Sequence, residues 1–302
     1  MSEALVAGLE LGGTKCLALL GRGQVICDRI VVPTTSPADT LGQLETQLRL
    51  WFQHEPFAAI GIGSFGPLAL DRTRPDYGFI TNTPKPGWAD TEVAGRFGAA
   101  FGVPVGFETD VTAAALAEHR WGAAQGMTSS VYLTIGTGIG GGAIVNGRPL
   151  RGFLHPEMGH VRVRREAGDS FSGICPFHGD CLEGLASGPA IAARSGRRAQ
   201  DIPSDDPVWR PVAGALAEIV AMLILTLSPE RIAIGGGVGC GQPHLLSLIR
   251  ARVATMLADY VADMDINALE RIIDTPCLAD QAGPLGTLAL ALAAIEETAG
   301  AG

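Results

Sequence analysis

One short stretch of the chain combines residue types whose spacing could do chemistry. The sequence GICPFHGDCLEG, residues 173–184, sets Cys175, His178 and Cys181 three residues apart, and Glu183 follows two residues later. The chain has six cysteines, and Cys175 and Cys181 are the two that stand close together. In a reducing compartment, such a pair with an intervening histidine indicates metal ligands rather than a disulfide. The other four cysteines stand singly in apolar surroundings and are expected to be buried.

A second stretch upstream supplies the remaining candidate ligand. HPEMGH, residues 155–160, contains Glu157 and two histidines, His155 and His160. Either histidine would complete a tetrahedral Cys₂His₂ zinc site with the three residues of the first stretch. A zinc ion held by four protein ligands has no open position at which to activate water. We therefore expect a structural zinc ion rather than a catalytic one.

Three glycine-rich turns could hold a nucleotide. LGGTK at 11–15 lacks the spacing of a P-loop or of a dinucleotide fingerprint. Backbone N–H groups in such a turn still form an anion-binding concavity, to which Thr14 and Lys15 add a hydroxyl and a positive charge. In TIGTGIGGG (134–142), Thr137 and Gly138 could touch the same nucleotide, and IGGGVG (234–239) offers bare backbone to a flat base. An ordinary hairpin turn remains the alternative for the first of them.

A carboxylate stands where a strand is expected to give way to a helix. In FETDVTAAALAE, residues 107–118, Asp110 occupies that junction. One interpretation is a helix N-cap, because aspartate there satisfies backbone N–H groups that lack partners. The other is a general base that accepts the proton of a substrate hydroxyl during phosphoryl transfer. Thr109 or Thr112 could cap the helix in place of Asp110.

Composition limits the class of protein. A length of 302 residues favours two lobes of about 100–150 residues each. The formal net charge of −9 argues against sequence-independent nucleic-acid binding, which needs a basic surface. The longest apolar run, 219–227, is too short for a bilayer, and the N-terminal sequence lacks a basic leader. We therefore expect a cytoplasmic protein without a membrane partner.

The hydrophobic pattern predicts α/β architecture with mixed sheets. Two glycine-containing hairpins, at 5–26 and 131–150, lie about 125 residues apart and share one plan, which suggests two similar lobes. Between and after them, helical and strand patterns alternate. The predicted helices are 41–53, 91–102, 111–122 and 213–229. The predicted strands include 57–66 and 103–110, and within 231–239 a strand is expected to end in three glycines. Residues 151–185 fit neither period and are expected to form an irregular, metal-tied insertion.

Taken in order, these motifs resemble those of the ROK family (repressors, open reading frames and sugar kinases). LELGGTK, ETDVTAAALAE, TIGTGIGGG, HPEMGH, CPFHGDCLEG and IGGGV follow the family's order and spacing from about residue 6 to residue 295. GIGSFGP (61–67) and YGFITNTPKPGW (77–88) resemble its bacterial fructokinase branch. The resemblance implies a two-lobed hexokinase/actin-like fold of ribonuclease-H-like lobes, with ATP and sugar in the cleft, and a homodimer. It places the lobes at 1–112 and 113–285, with a zinc-binding loop at 155–185 and a C-terminal helix, 286–300, packed on the first lobe.

The resemblance also implies an activity and residue roles. It implies ATP- and Mg²⁺-dependent phosphorylation of D-fructose to fructose 6-phosphate, with mannose, glucose or another hexose as alternative substrates. Asp110 resembles the catalytic base, Glu157, His160, Glu183 and Thr109 the sugar-binding residues, and His160, Cys175, His178 and Cys181 the zinc ligands. Gly12, Gly13, Thr14, Lys15, Thr137 and Gly138 would lie at the ATP phosphates, and Gly188, Gly235 and Gly236 would flank the nucleoside.

Three departures from the family pattern affect these expectations. His178 takes a place that a cysteine usually holds in the cluster, which supports the fructokinase branch. Thr109 replaces an asparagine that contacts glucose in the family, which argues against glucose as the best substrate. Glu10 replaces the customary aspartate of the first strand and is one methylene longer. The rivals from other classes are a non-catalytic sugar-binding protein and a sugar-sensing repressor, which is expected to carry a DNA-binding domain before the first hairpin.

Overall fold

The computed structural model describes residues 4–300, in which strands and helices alternate as the sequence pattern predicts. The strands are β1 Leu5–Leu11, β2 Lys15–Arg22, β3 Val25–Pro33, β4 Ile60–Ser64, β5 Phe79–Ile80, β6 Thr91–Glu92, β7 Val105–Thr109, β8 Ser129–Ile135, β9 Ile139–Val145, β10 Arg148–Pro149, β11 Arg231–Gly235 and β12 Ile273–Asp274. The helices are α1 Pro37–His54, α2 Ala94–Phe101, α3 Asp110–Trp121, α4 Leu182–Ala186, α5 Gly188–Ser195, α6 Trp209–Leu227, α7 Gly236–Gly239, α8 His244–Leu257, α9 Ile266–Ile272 and α10 Ala282–Gly300. The chain is therefore α/β, as expected.

The two five-stranded sheets repeat one plan. The first has the order β3-β2-β1-β4-β7, with β1, β2 and β3 joined as antiparallel hairpins and β1, β4 and β7 parallel. The second has the order β10-β9-β8-β11-β12, with β8 and β9 antiparallel and β8, β11 and β12 parallel. Both hairpins fall where the sequence predicted them. The shared order supports the expectation of two lobes built alike.

Contacts within the chain define two units. The first runs to Trp121 and also includes Arg148–His155 and the chain from Asp280 onward, and the second comprises Gly122–Gly147 and Pro156–Ala279. The whole of α3 thus belongs to the first unit and extends beyond the expected boundary at residue 112. The reason is its packing, because α3 lies against α10, the C-terminal helix.

In the first unit, α10 packs directly on the sheet and on α3. The close approach depends on glycine, because a Cβ at Gly61 on β4 would clash with the carbonyl oxygen of Thr287 on α10. A Cβ at Gly8 on β1 would likewise clash with the Thr287 side chain. The helix begins at Ala282, somewhat before the predicted start at 286.

In the second unit, α6 is the long apolar helix that the sequence placed at 213–229. By length and composition alone, α6 could cross a membrane. Most of its residues are buried, and it packs along α8 and α4. A buried helix of this kind is the ordinary core helix of a folded domain.

Two smaller expectations were wrong. Cys16 is buried as predicted, but Cys27, Cys240 and Cys277 are exposed. Cys27 is followed by Asp28 and Arg29 and lies on β3, an edge strand whose residues are mostly exposed. The glycines after β11, read as an extended end of a strand, instead form the short helix α7, which Gly236 enters with a φ of +83°.

Candidate active site and metal cluster

The Cys/His cluster lies in the second unit and contains four potential ligands. These are His160, Cys175, His178 and Cys181, whose ligand atoms all lie within 4.8 Å of one another. The Sγ of Cys175 is 3.8 Å from Nδ1 of His160 and 3.7 Å from Nδ1 of His178. The Sγ of Cys181 is 3.6 Å from Nδ1 of His160. The fold thus brings residue 160 to a loop that the sequence places at 175–181.

These distances fit a tetrahedral zinc site. Zn–S bonds of about 2.3 Å and Zn–N bonds of about 2.0 Å place tetrahedral sulfur and nitrogen ligands about 3.5 Å apart. Burial, with a smaller contribution from Cys175, raises the pKa of the Cys181 thiol to about 11. That thiol keeps its proton at neutral pH until a metal ion displaces it. The donor set, two thiols and two imidazoles, suits zinc.

The structure decides between the two candidate histidines. His155 belongs to the first unit, where its Nε2 accepts a hydrogen bond from the backbone N–H of Leu68 at 3.0 Å. Its side chain is buried. His160 ends a short 3₁₀ turn, Met158–His160, and its Nδ1 faces the cluster. The fourth potential ligand is therefore His160.

Beside the cluster, Glu183 lies on the first turn of α4, which begins directly after Cys181. Its Oε2 accepts a hydrogen bond from the backbone N–H of Ile139 at 3.0 Å. The adjacent Gly138 leaves room for this carboxylate, because a Cβ there would lie 2.6 Å from Glu183 Oε2. A predicted sugar-binding residue and a predicted phosphate-binding glycine are thus in contact.

Two further predicted sugar-binding residues, Glu157 and His160, lie in the stretch that supplies the fourth potential ligand. Glu157 is exposed, and its backbone carbonyl accepts a hydrogen bond from the N–H of His160 at 3.0 Å. His160 presents Nδ1 to the cluster, so Nε2 is the ring atom that could face a sugar. The same residue can therefore serve both predicted roles.

The predicted nucleotide-binding glycines converge at the end of β8. The N–H of Gly188, the first residue of α5, donates to the carbonyl oxygen of Gly136 at 2.8 Å. A Cβ at Gly236 would lie 2.5 Å from the Ile135 carbonyl oxygen, and a Cβ at Gly235 would meet the Tyr132 hydroxyl at the same distance. At Gly236, only glycine permits so close an approach of one backbone to another. Thr137, Gly138, Gly188, Gly235 and Gly236 therefore surround one region of the second unit.

In the first unit, the turn Gly12–Lys15 joins β1 to β2. The backbone N–H of Gly12 donates to the carbonyl oxygen of Lys15 at 3.1 Å, which closes the turn. A Cβ at Gly12 would lie 2.7 Å from that same oxygen. A Cβ at Gly13 would meet nothing within 4 Å. Gly12 is thus needed for the turn itself, and the space beside Gly13 is open.

At the end of β7, the two interpretations of Asp110 separate. Thr109 Oγ1 accepts a hydrogen bond from the backbone N–H of Thr112 at 3.1 Å and therefore caps α3. The Asp110 carboxylate accepts from the N–H of Val111 at 2.8 Å. Thr109 is buried, and its hydroxyl also donates to Thr112 Oγ1 at 2.8 Å. The structure thus gives Thr109 a capping role, so its predicted contact with sugar stays a prediction.

Glu10 and Asp110 lie near each other. Burial is the largest cause that raises the pKa of Glu10 to about 7, and the Asp110 carboxylate raises it further, while Lys15 lowers it. The longer side chain of Glu10 reaches Gly283 on α10, where a Cβ would clash with Oε1. Two carboxylates in one half-buried site suit a divalent cation, which would relieve their repulsion.

Three charged residues of the first unit, Glu108, Arg151 and Lys85, make contacts that the sequence did not predict. Glu108 on β7 is 2% exposed, and Arg151 Nη1 donates to its Oε1 at 3.2 Å. Burial raises the pKa of Glu108 to about 7, against an opposing effect of Arg151. Lys85 donates from Nζ to the carbonyl oxygen of Gly13 at 2.6 Å. Neither contact has a local sequence signal, because each joins residues more than 40 positions apart.

Comparison with known proteins decides the family. The model of the ROK family matches residues 6–294. The chain belongs to the ROK family. A fructokinase from Zymomonas mobilis is 46% identical over 292 residues, which cover 95% of this chain and 96% of the relative. A fructokinase from Pediococcus pentosaceus is 40% identical over 294 residues, which cover 97% of this chain and 99% of the relative.

A solved structure shares the fold of this ROK chain. The ROK hexokinase from Thermus thermophilus superimposes with a TM-score of 0.79 at 29% sequence identity. The match covers 97% of this chain and 99% of the hexokinase. The expected hexokinase-like fold is thereby confirmed.

Proposed function

We propose that this protein is an ATP-dependent fructokinase, which transfers the γ-phosphoryl group of ATP to the C6 hydroxyl of D-fructose. Fructokinases that are 40–46% identical over nearly the whole chain support the substrate. The structural observation that carries the proposal is at the start of α3. Thr109 caps the helix, so Asp110 is not required for capping and is suited to act as a base.

In the proposed reaction, Asp110 accepts the proton of the C6 hydroxyl as its oxygen attacks the γ-phosphorus. The bond between the γ-phosphorus and the β–γ bridging oxygen breaks, and ADP and fructose 6-phosphate leave. Positioning and charge stabilisation supply most of the rate in such transfers. In this proposal the amides of Gly13 and Thr14 and the Lys15 ammonium would bind phosphate oxygens.

Two metal ions belong to the proposal. Magnesium would be held through Glu10 and Asp110, directly or through water, and would spread the negative charge of the phosphates. Zinc would be held by His160, Cys175, His178 and Cys181 in a structural role. These residues would keep the loop folded, so that Glu183, two positions after Cys181, faces the sugar.

A second hexose is the alternative substrate. The similarity to the ROK hexokinase supports activity of this protein on hexoses other than fructose. The residue that stands in place of the family's glucose-contacting asparagine, Thr109, is engaged as a helix cap, which disfavours glucose. A homodimer and a cytoplasmic location remain predictions.

The deciding experiment is an ADP-release assay on the purified protein with fructose, mannose, glucose and an N-acetylated amino sugar. We expect the highest kcat/KM with fructose. A higher value with another hexose would replace the substrate but keep the kinase. Absence of ADP release with every sugar would refute the kinase and favour a non-catalytic sugar-binding protein.

A further inference from the structure

Lysine is rare in this chain, and both lysines are found at the turn between β1 and β2. The chain has 22 lysine and arginine residues, and only Lys15 and Lys85 among them are lysines. Lys15 ends the Gly12–Lys15 turn. Lys85, from the segment 81–88, places its Nζ 2.6 Å from the carbonyl oxygen of Gly13 in the same turn. All other basic residues counted here are arginines, so both lysines of the chain are found at one turn.

The hydrogen bond of Lys85 is one of three that hold the carbonyl groups of the turn. The carbonyl oxygen of Gly12 accepts from Thr34 Oγ1 at 2.7 Å, and that of Thr14 accepts from the backbone N–H of Thr34 at 2.9 Å. The carbonyl oxygen of Gly13 accepts from Lys85. Three consecutive carbonyl groups of the turn are therefore each held by a donor from elsewhere in the first unit.

Holding the carbonyl groups also orients the amides. In a planar trans peptide, the C=O and the following N–H point in opposite directions. Fixing the Gly13 carbonyl toward Lys85 therefore directs the N–H of Thr14 away from Lys85. The Gly12 carbonyl is fixed by Thr34, so the N–H of Gly13 points away from Thr34. These two amides belong to the anion-binding concavity that the sequence predicts, and the space beside Gly13 is open.

An ammonium group suits this task better than a guanidinium. Lysine carries a compact point charge with three donors, whereas arginine presents a planar fork that matches carboxylates and phosphates. A single carbonyl oxygen offers no second acceptor for such a fork. A cation on the carbonyl oxygen also polarises the peptide and makes its N–H a stronger donor.

The segment that carries Lys85 is anchored next to Thr34. The backbone N–H of Trp88 donates to the carbonyl oxygen of Lys85 at 3.2 Å. Trp88 is buried, and its Nε1 donates to the carbonyl oxygen of Thr35 at 2.8 Å. Its ring contacts Phe65 edge to face, with centroids 5.3 Å apart. Lys85 thus extends from a fixed base rather than from a free loop.

We propose that Lys85 is a positioning residue for the nucleotide. It holds the Gly13–Thr14 peptide with its N–H directed at a phosphate of ATP or ADP. The inference rests on the proposed kinase function, since it assigns the turn to the nucleotide phosphates. The segment 81–88 had no role assigned from the sequence. In this proposal it positions the turn through the hydrogen bond of Lys85 to Gly13.

Three variants test the proposal in the intact protein. Lys85→Met keeps the length of the stem but removes the charge and the donors. Lys85→Arg keeps the charge in a less suitable geometry. Arg74→Met is the matched control, because Arg74 is an exposed residue of the first unit whose guanidinium pairs with Asp76. ADP affinity is measured by calorimetry, together with KM for ATP, kcat, KM for fructose and Tm.

For Lys85→Met we expect the Kd for ADP and the KM for ATP to rise about tenfold, the effect of one charge-assisted hydrogen bond. The KM for fructose and Tm should stay at the wild-type values, and Lys85→Arg should lie between wild type and Lys85→Met. Arg74→Met should bind ADP as the wild type does. ADP affinity of Lys85→Met within twofold of the wild type would overturn the proposal, as would an equal loss in Arg74→Met.

Selective isotope labelling reports directly on the Gly13–Thr14 peptide group. With ¹³C at glycine carbonyls and ¹⁵N at threonine, an HNCO spectrum reports only Gly–Thr pairs, which this chain has at 13–14, 136–137 and 286–287. Lys85→Met without nucleotide should move the 13–14 signal and leave the 286–287 signal in place. An unmoved 13–14 signal would contradict the proposal.

Failure of the kinase assignment would look different. Wild-type protein would then bind no ADP and phosphorylate no sugar. The 13–14 signal would still report whether Lys85 holds the peptide. Normal wild-type kinase activity with unchanged nucleotide binding in Lys85→Met would refute the role of Lys85 alone.

Discussion

Glu183 Oε2 accepts a hydrogen bond from the backbone N–H of Ile139 at 3.0 Å, which joins helix α4 to the second glycine turn. The helix begins directly after Cys181, a potential zinc ligand. The position of one carboxylate is therefore fixed from two sides, by the cluster before it and by the turn beside it. This relationship connects the proposed structural metal to the proposed sugar contact.

A methyl group at Gly138 should disturb this carboxylate. In Gly138→Ala, the Cβ would lie 2.6 Å from Glu183 Oε2, which is the movable end of a side chain. We expect the carboxylate to shift and lose its bond to Ile139, which should raise the KM for fructose about tenfold. Gly42→Ala on α1, where a Cβ meets nothing within 4 Å, is the control. An unchanged KM in Gly138→Ala would argue against a sugar contact of Glu183.

Loss of the metal should weaken stability and sugar binding together. Cys181→Ser removes one ligand of the cluster, so we expect zinc content to fall from about one ion per chain and Tm to fall by about 5 °C or more. Fructose affinity should fall in parallel, because α4 loses its anchor. Cys27→Ser, at an exposed cysteine outside the cluster, is the control. Metal-free protein that kept its Tm and fructose affinity would show that the two are not linked.

Removal of the proposed base should affect turnover and leave folding intact. Asp110→Asn keeps the shape of the side chain, and Thr109 continues to cap α3. We expect kcat to fall by about 10²–10⁴-fold, the usual contribution of a general base, with Tm close to wild type. Steady-state kinetics and a thermal melt measure both. Near-normal turnover would exclude Asp110 as the base.

Stability should depend on pH through Glu108. Its pKa in the folded protein is about 7, above the ordinary value of 4.5, because burial disfavours the charged form. The folded state therefore holds a proton that the unfolded state releases. This stabilisation is complete below about pH 4.5 and is lost as the pH rises toward 7, so the free energy of unfolding should be lower at pH 8 than at pH 5.

Urea unfolding of Glu108→Gln at the two pH values measures this effect. The neutral side chain does not titrate, so the decline between pH 5 and pH 8 should shrink by up to about 3 kcal/mol. Part of the decline should remain, since the pKa of Glu10 is also raised to about 7. Glu55→Gln, at an exposed glutamate, should decline as the wild type does. If the free energy of unfolding of Glu108→Gln fell between pH 5 and pH 8 as much as that of the wild type, Glu108 would not be the cause of the pH dependence.

Local patterns predicted most of the secondary structure. The helices at 41–53 and 111–122 and the hairpin at 5–26 appear as α1, α3 and β1–β2 with shifts of a few residues at the ends. Their apolar spacing and their glycine and proline signals lie within each segment, so no distant contact is needed to read them. Exposure was harder to predict, because Cys27, Cys240 and Cys277 were expected to be buried and are exposed.

The site was predictable in its residue types but not in its contacts. Both His155 and His160 had the chemistry of a zinc ligand, and only the fold shows that His155 bonds Leu68 while His160 faces Cys175 and Cys181. Thr109 and Asp110 could both have capped α3, and the backbone geometry at the helix start selects Thr109.

By itself, the sequence determined the α/β class, the duplicated hairpin plan, the ligand types of the cluster and the carboxylate at the start of α3. These follow from periodicity and from residue chemistry within short windows. Only the tertiary structure decided which histidine joins the cluster, how Gly283 makes room for Glu10, and that Lys85 reaches the carbonyl of Gly13. Such contacts join residues far apart in the chain, and their distances depend on the packing of whole elements rather than on any local pattern.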